Sequence, residues 1–217
     1  MHSIFFLAVI LALAFAVNAN NTNKFAKFTA VSDSGPPNGR VCDGASVLTP
    51  ADGTQQRNIE TCSKTELGEI PLASKMPSTL ILFPENASKL PANKSFTIKI
   101  KSINLHTGNF DNATSQYLLF SQQLDNNGLI LGHIFVTIQQ LDSIGTDSSL
   151  NAEVFAFFKG LNIAAGANGI LTQDVSDGLP AGSYRLCTMA SSFALQPVVM
   201  PVAQRGAQDD CIRFTSE

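Results

Sequence analysis

The sequence predicts an all-β protein, an antiparallel Ig-like β-sandwich with a loop-rich, disulfide-pinned N-terminal segment. Three observations carry that expectation. Apolar residues alternate with polar ones at period two from Ser78 onward. Turn residues punctuate the chain at intervals of roughly ten, as in sandwiches and barrels. Helical periodicity is nearly absent, with Ser143–Leu150 or Asn162–Ala167 as the places for one short turn.

The composition fits an ordered, single-domain chain. The protein has 217 residues, 44% hydrophobic and 14% charged, with a formal net charge of -3. Soluble domains usually carry about 25% charge, so Ser, Thr, Asn and Gln must supply most of the polar surface. The apolar fraction is too high for a disordered chain. The acidic balance argues against nucleic acid as a partner, because phosphate contacts need clustered Lys and Arg.

The first element is the run Ile4 to Val17, almost unbrokenly apolar. It is shorter than the roughly 20 residues of a membrane span. Val17-Asn18-Ala19 supplies small residues at a cleavage spacing, so residues 1–19 read as a secretory signal peptide cut after Ala19. No membrane is expected as a partner after that cleavage. The next segment, 20–77, is rich in turn clusters such as SDSGPPNGR and LTPADGTQQ. Its few apolar residues, Phe25, Phe28, Val31 and Val47, cannot make a separate core. The β-sandwich is assigned to 78–217.

Within that domain, TLILFP is a short strand ended by Pro84. Phe96, Ile98 and Ile100 alternate with Thr97, Lys99 and Lys101, which describes a strand with one wet face. Tyr117–Leu124 and Leu129–Leu141 flank Asp125-Asn126-Asn127-Gly128, and Asn-Gly is a hairpin signal because it tolerates positive φ. Further strands are expected at Val154–Phe158, Gly169–Val175, Ser183–Ala190, Val198–Ala203 and Cys211–Phe214. The stretch Gly178 to Leu186 looks like a turn entering a late sandwich strand, with Tyr184 and Leu186 inward and Arg185 outward.

Cys42, Cys62, Cys187 and Cys211 form an even set, for which disulfides are the default in an exported chain. Four cysteines permit three pairings. Cys42–Cys62 and Cys187–Cys211 are favoured because short loops close most readily. If Cys187 faces Cys211 on antiparallel neighbours, Arg185 opposes Arg213. That unfavourable pair would call for neutralisation by Asp209 or Asp210, or for strands that are not neighbours. An anion site there is a minor alternative. Asn86, Asn93 and Asn112 open glycosylation sequons, as does Asn20 beside the expected new N-terminus.

Catalytic signals are sparse. His106 and His133, with Asp111 or Asp125, are weak metal candidates, since a tight site wants three or more convergent ligands. The plainer reading is one loop histidine and one hydrogen-bonded strand histidine, partly buried. Asp209-Asp210 would point to opposite faces of a strand, which is wrong for a glycosidase pair. There is no GxSxG elbow, no CxxC spacing and no phosphate-binding glycine loop. No catalytic residue, cofactor or metal is therefore assigned. Trp is absent, Tyr numbers 2 and Phe 15, so most Phe must be core and any sugar-stacking platform must use Phe or Tyr117.

The strings LHTGNFDNATSQYL, GLILGHIFVTIQQL, FAFFKGLN, GLPAGSYRLCTMAS and QPVVMPVAQRGAQDDCIRF, taken in order, resemble a family of secreted fungal proteins of unknown biochemical activity. Some members carry a ribosomal label that does not suit an exported acidic β-rich chain. The resemblance covers about residues 76–215 and implies an extracellular fungal protein with no established reaction. In that family the long strand often reads Gly-His-x-His, and a His precedes the Gln-Pro-Val segment. Here Phe135 and Leu195 occupy those positions, leaving His133 alone. The expected function is non-enzymatic action at the host or cell-wall interface, on a protein or glycan, as in a plant-colonisation effector. A secreted carbohydrate-active or metal-dependent enzyme, and a glycan-binding module, are the alternatives.

Overall fold

The computed structural model describes residues 42, 48–55 and 58–217. The signal-peptide reading of 1–19, the sequon at Asn20 and the apolar residues Phe25, Phe28, Val31 and Val47 lie outside the described residues. All described residues belong to one compact unit, Arg40–Glu217.

That unit is nearly all β. Its strands are β1 (Thr49–Pro50), β2 (Thr61–Cys62), β3 (Ser78–Phe83), β4 (Lys89–Leu90), β5 (Phe96–Ile103) and β6 (Leu105–His106). They continue with β7 (Ile130–Leu141), β8 (Phe157–Leu161), β9 (Ile170–Val175), β10 (Gly182–Ser192) and β11 (Cys211–Ser216). A six-stranded sheet runs β4-β11-β10-β7-β6, with β8 also paired to β7; a three-stranded sheet runs β3-β5-β9. The long pairings are antiparallel, and short parallel pairs finish the edges at β11–β4 and β6–β7.

The two sheets share one core. Ile81, Ile98, Ile100, Leu171 and Val175 from the smaller sheet pack in one cluster with Ile134, Val136, Ile138, Tyr184, Leu186, Ile212 and Phe214 from the larger. Period two makes this possible, because alternate residues of each strand reach the same face. Phe214 anchors the cluster between Tyr184, stacked at 5.8 Å, and Phe96, edge-on at 6.1 Å.

The turn before β10 is a tyrosine corner, a hallmark of immunoglobulin-like sandwiches. Tyr184 is 1% exposed, and its hydroxyl donates to the Pro180 carbonyl at 2.9 Å. Thus the ring fills the core while its polar tip is satisfied by backbone.

Three strand expectations and one turn change in detail. Tyr117–Leu124 is no strand; it meets Ile130 only through a single bridge at Leu124. The turn at Asp125 does form: the Gly128 N–H donates to the Asp125 carbonyl and the Asp125 N–H to that of Leu129, both at 2.8 Å. Its positive φ belongs to Gly128 alone and not to Asn127, because the Asp125 carboxylate takes the Asn127 and Leu129 N–H groups and holds a three-residue turn. Val198–Ala203 also forms no strand, since Pro197 and Pro201 remove ladder donors. The strand expected at Val154 begins later, at Phe157, after an Asn151 side-chain turn that captures the Glu153 N–H.

Both disulfides have the expected partners, Cys42–Cys62 and Cys187–Cys211. The second places Arg185 directly opposite Arg213. Among the described residues no carboxylate neutralises the pair, contrary to the expectation. Instead Arg185 Nη2 donates to Gln139 Oε1 at 2.6 Å, and Arg213 Nη1 donates to the carbonyls of Ile144 and Thr146. Each guanidinium group is thus held by neutral acceptors of its own. The two aspartates work on backbone: Asp210 Oδ2 accepts from the Ile81 N–H at 2.8 Å and Asp209 Oδ1 from the Ala190 N–H at 2.7 Å. The Asp210 contact helps to seal the open edge of β3.

Candidate functional site: an aromatic hollow on the outer face

The alternation of β7 divides its side chains between two environments. Ile130, Ile134, Val136 and Ile138 enter the core. Leu131, His133, Phe135, Thr137 and Gln139 point to the opposite, outer face. On neighbouring strands the same face carries Arg185, Met189 and Ser191 of β10 and Phe158 of β8.

Loops cover this outer face unequally. Near the C-terminal end of β7, Gln139 donates to the carbonyls of Asn151 and Val154. Together with Arg213 it ties down the 143–156 loop. Near the other end, the 107–124 segment folds over His133 and Phe135. Gln122, 1% exposed, fixes that segment. Its amide donates to the Glu69 and Val199 carbonyls and accepts from the Val199 N–H. Sequence reasoning missed this staple, because a lone Gln in a polar loop carries no pattern.

Beside the 107–124 segment a hollow of about 550 Å³ remains. Phe110, Tyr117, Phe135 and Phe158 supply its aromatic walls, with Met189 and Leu195 beside them and Asp209 at the rim. Phe135 and Phe158 stack at 5.2 Å, while Phe110 meets Phe135 edge-on at 5.8 Å. Gly160 makes this approach possible: a Cβ there would lie 2.7 Å from the Phe110 ring and 3.0 Å from that of Phe135. The hollow brings together Phe135 and Leu195, the two positions at which the resemblance marked a departure.

His133 sits under these rings and is 0% exposed, where the sequence reading expected partial burial. The difference has a cause: Asn109 and Phe110, ahead of the Tyr117–Leu124 stretch expected as a strand, lie over the ring. Nδ1 donates to the Asn109 carbonyl at 3.0 Å, and Nε2 has no hydrogen-bond partner among the described residues. The ring packs at 4.3 Å from Phe110 and 4.6 Å from Phe135. Burial disfavours the imidazolium and lowers the pKa to about 4, against a smaller upward pull from the Asn109 bond. His133 is therefore a neutral histidine at physiological pH.

His106 lies elsewhere, exposed, with Nδ1 2.8 Å from Asp125 Oδ2. The Leu129 N–H bond, the His106 bond and the Asn127 N–H bond together keep the Asp125 carboxyl below its ordinary range. Among the described residues no three His, Cys, Asp or Glu side chains converge on one point. Asp209 differs from Asp125: burial pushes its carboxyl up, only partly opposed by the Ala190 N–H.

The sequon residues Asn86, Asn93 and Asn112 are exposed. Asn112 Oδ1 accepts from both the N–H and hydroxyl of Thr114, and the adjoining Ala113 lines the hollow. Among the described residues no helix is long and apolar enough to cross a membrane.

Known proteins can be compared with this arrangement. Residues 79–217 match the model of the CLU5d N-terminal domain. The chain is also 40% identical, over 205 residues, to a protein called "Pathogenicity cluster 5 protein d" from the fungus Colletotrichum graminicola. That alignment covers 92% of this chain and 43% of the relative, so the chain spans under half of the relative's length. No solved structure matches. The matched span runs from the start of β3 to Glu217 and contains both sheets and nearly all of the hollow, and on that ground the chain belongs to the CLU5d N-terminal domain family, a fungal pathogenicity-cluster family.

Proposed function

We propose that this chain is a secreted fungal binding protein that acts non-enzymatically at the host or cell-wall interface, as a plant-colonisation effector. The observation that carries the reading is the aromatic hollow, an open concave site set on a core that is otherwise complete. Concave apolar sites with a few polar groups are the usual form of a small-ligand or side-chain pocket. Two disulfides suit an oxidising compartment. Residues 1–19 read as an export signal, and Asn86, Asn93 and Asn112 stand where glycans can be attached. The relative's name links the family to pathogenicity.

The partner is a host or cell-wall protein or glycan. A glycan-binding role is the second reading, favoured by the exposed ring pair Phe155 and Phe158, 5.6 Å apart. A glycan array separates the two readings. The main reading is tested by tagging the protein and following it during fungal growth on a plant. Recovery from the extracellular fluid and reduced colonisation after gene deletion are expected. Confinement to the fungal cytosol would remove the proposal.

A further inference from the structure

We propose that the outer-face hollow binds an organic ammonium cation with a compact apolar body. This deepens the binding reading above and rests on it. Two independent features of the hollow point to positive charge.

The first is its walls. Phe110, Tyr117, Phe135 and Phe158 line one space, and the ring pairs differ in orientation: 73° between Phe110 and Phe135, 30° between Phe135 and Phe158. Aromatic faces carry negative quadrupole potential, and rings around a cation are the recurring way to hold alkylated ammonium groups. Gly160 is what permits the rings to close on each other. The strand has given up a side chain in favour of this geometry.

The second is the lone carboxylate. Asp209 is the only acidic or basic side chain that lines the hollow, among the described residues. Its Oδ1 accepts from the Ala190 N–H and the Thr188 hydroxyl, both neutral donors, and it forms no ion pair among the described residues. The arginines that share the region are engaged elsewhere. Arg205 donates to the Val202 carbonyl, Arg185 to Gln139, and Arg213 to Ile144 and Thr146. A partly desolvated carboxylate without a counter-ion is costly, and a cationic ligand would supply what the fold withholds. Burial raises the Asp209 carboxyl, in keeping with this, and a bound cation would draw it back down.

Other ligand classes fit less well. An anion would face both Asp209 and the ring faces. A sugar would bring many hydroxyls to a surface whose polar side chains are Gln55, Tyr117, Ser191 and Asp209. A volume of about 550 Å³ accommodates a ring bearing a trimethylammonium group.

The test uses two probes of one shape, phenyltrimethylammonium and its neutral isostere tert-butylbenzene, titrated into the full purified chain and followed by NMR. Saturable binding is expected for the cation, at least tenfold tighter than for the isostere. Asp209→Asn keeps an oxygen for the Ala190 N–H, so the fold is retained. It should weaken the cation about tenfold and leave the isostere unchanged. Phe158→Leu, at an exposed position, should weaken the cation several-fold. Equal affinities for the two probes, or a cation preference that survives Asp209→Asn, would overturn this inference while leaving the hollow a binding site. No saturable binding of either probe would overturn this inference alone, because the reading beneath it is decided separately by where the tagged protein is found during growth on a plant.

Discussion

The two faces of the six-stranded sheet are built from the same strands and differ in almost every physical respect. The inner face is apolar and closed: Ile130, Ile134, Val136, Ile138, Leu186 and Phe214 are each 0% exposed. The outer face mixes a buried neutral histidine, aromatic rings, two arginines and a carboxylate, and leaves a hollow unfilled. The inner face secures the fold mainly by burial of apolar surface, with the Tyr184 hydroxyl bonded to backbone at its edge. On the outer face polar groups are matched one by one, as with Gln139 and the arginines, and the space left over is shaped by rings. That division shows where the sequence keeps stability and where it keeps room for a ligand.

The sharpest contrast is reached by truncating one ring on each face. Phe214→Ala on the inner face should cost about 3–5 kcal/mol, read as a drop in the urea midpoint with an unchanged slope. A loss under about 1 kcal/mol would mean that the two faces are not different in kind.

The next effect concerns pH. Between about 4 and 6.5 the unfolded chain binds a proton at His133 that the folded chain refuses. Stability should therefore fall as pH drops through that window, by roughly 3 kcal/mol at about 1.4 kcal/mol per tenfold change. The difference between the wild-type and His133→Gln profiles isolates this contribution. That variant should be modestly less stable at pH 7 and have a flatter profile. Parallel profiles would show that His133 is not held neutral by burial.

Smaller still is Tyr184→Phe, which leaves the ring and removes the bond to Pro180. It should cost about 1 kcal/mol by thermal or urea unfolding. The smallest effect is expected for Phe158→Ala, 43% exposed at the rim of the hollow. Its stability should change by less than about 1 kcal/mol while ligand affinity at the hollow falls. A large loss of stability would make Phe158 a core residue and not a wall.

The inner face was the more legible of the two. Period-two alternation marked β5 and β7, the Gly178–Leu186 stretch marked the corner at Tyr184, and short loop closure selected both disulfides. These features follow from local rules. The outer face obeys contacts that are remote in sequence. The residues after Asn109 look like loop and strand, yet they fold as a cover because Gln122 reaches Glu69 and Val199. The Arg185–Arg213 opposition was readable from register, but its resolution by Gln139 and loop carbonyls was not. Phe135 and Leu195 stood out in the sequence only as departures, and the structure places both in the hollow.

The central claim is that the outer face buries a neutral His133 beneath the same rings, Phe110 and Phe135, that line the open hollow. An NMR titration of the His133 ring tests it most directly. The account predicts a midpoint near 4, with the proton on Nδ1 throughout the neutral range. A midpoint near the ordinary 6.5, or a proton on Nε2, would contradict it.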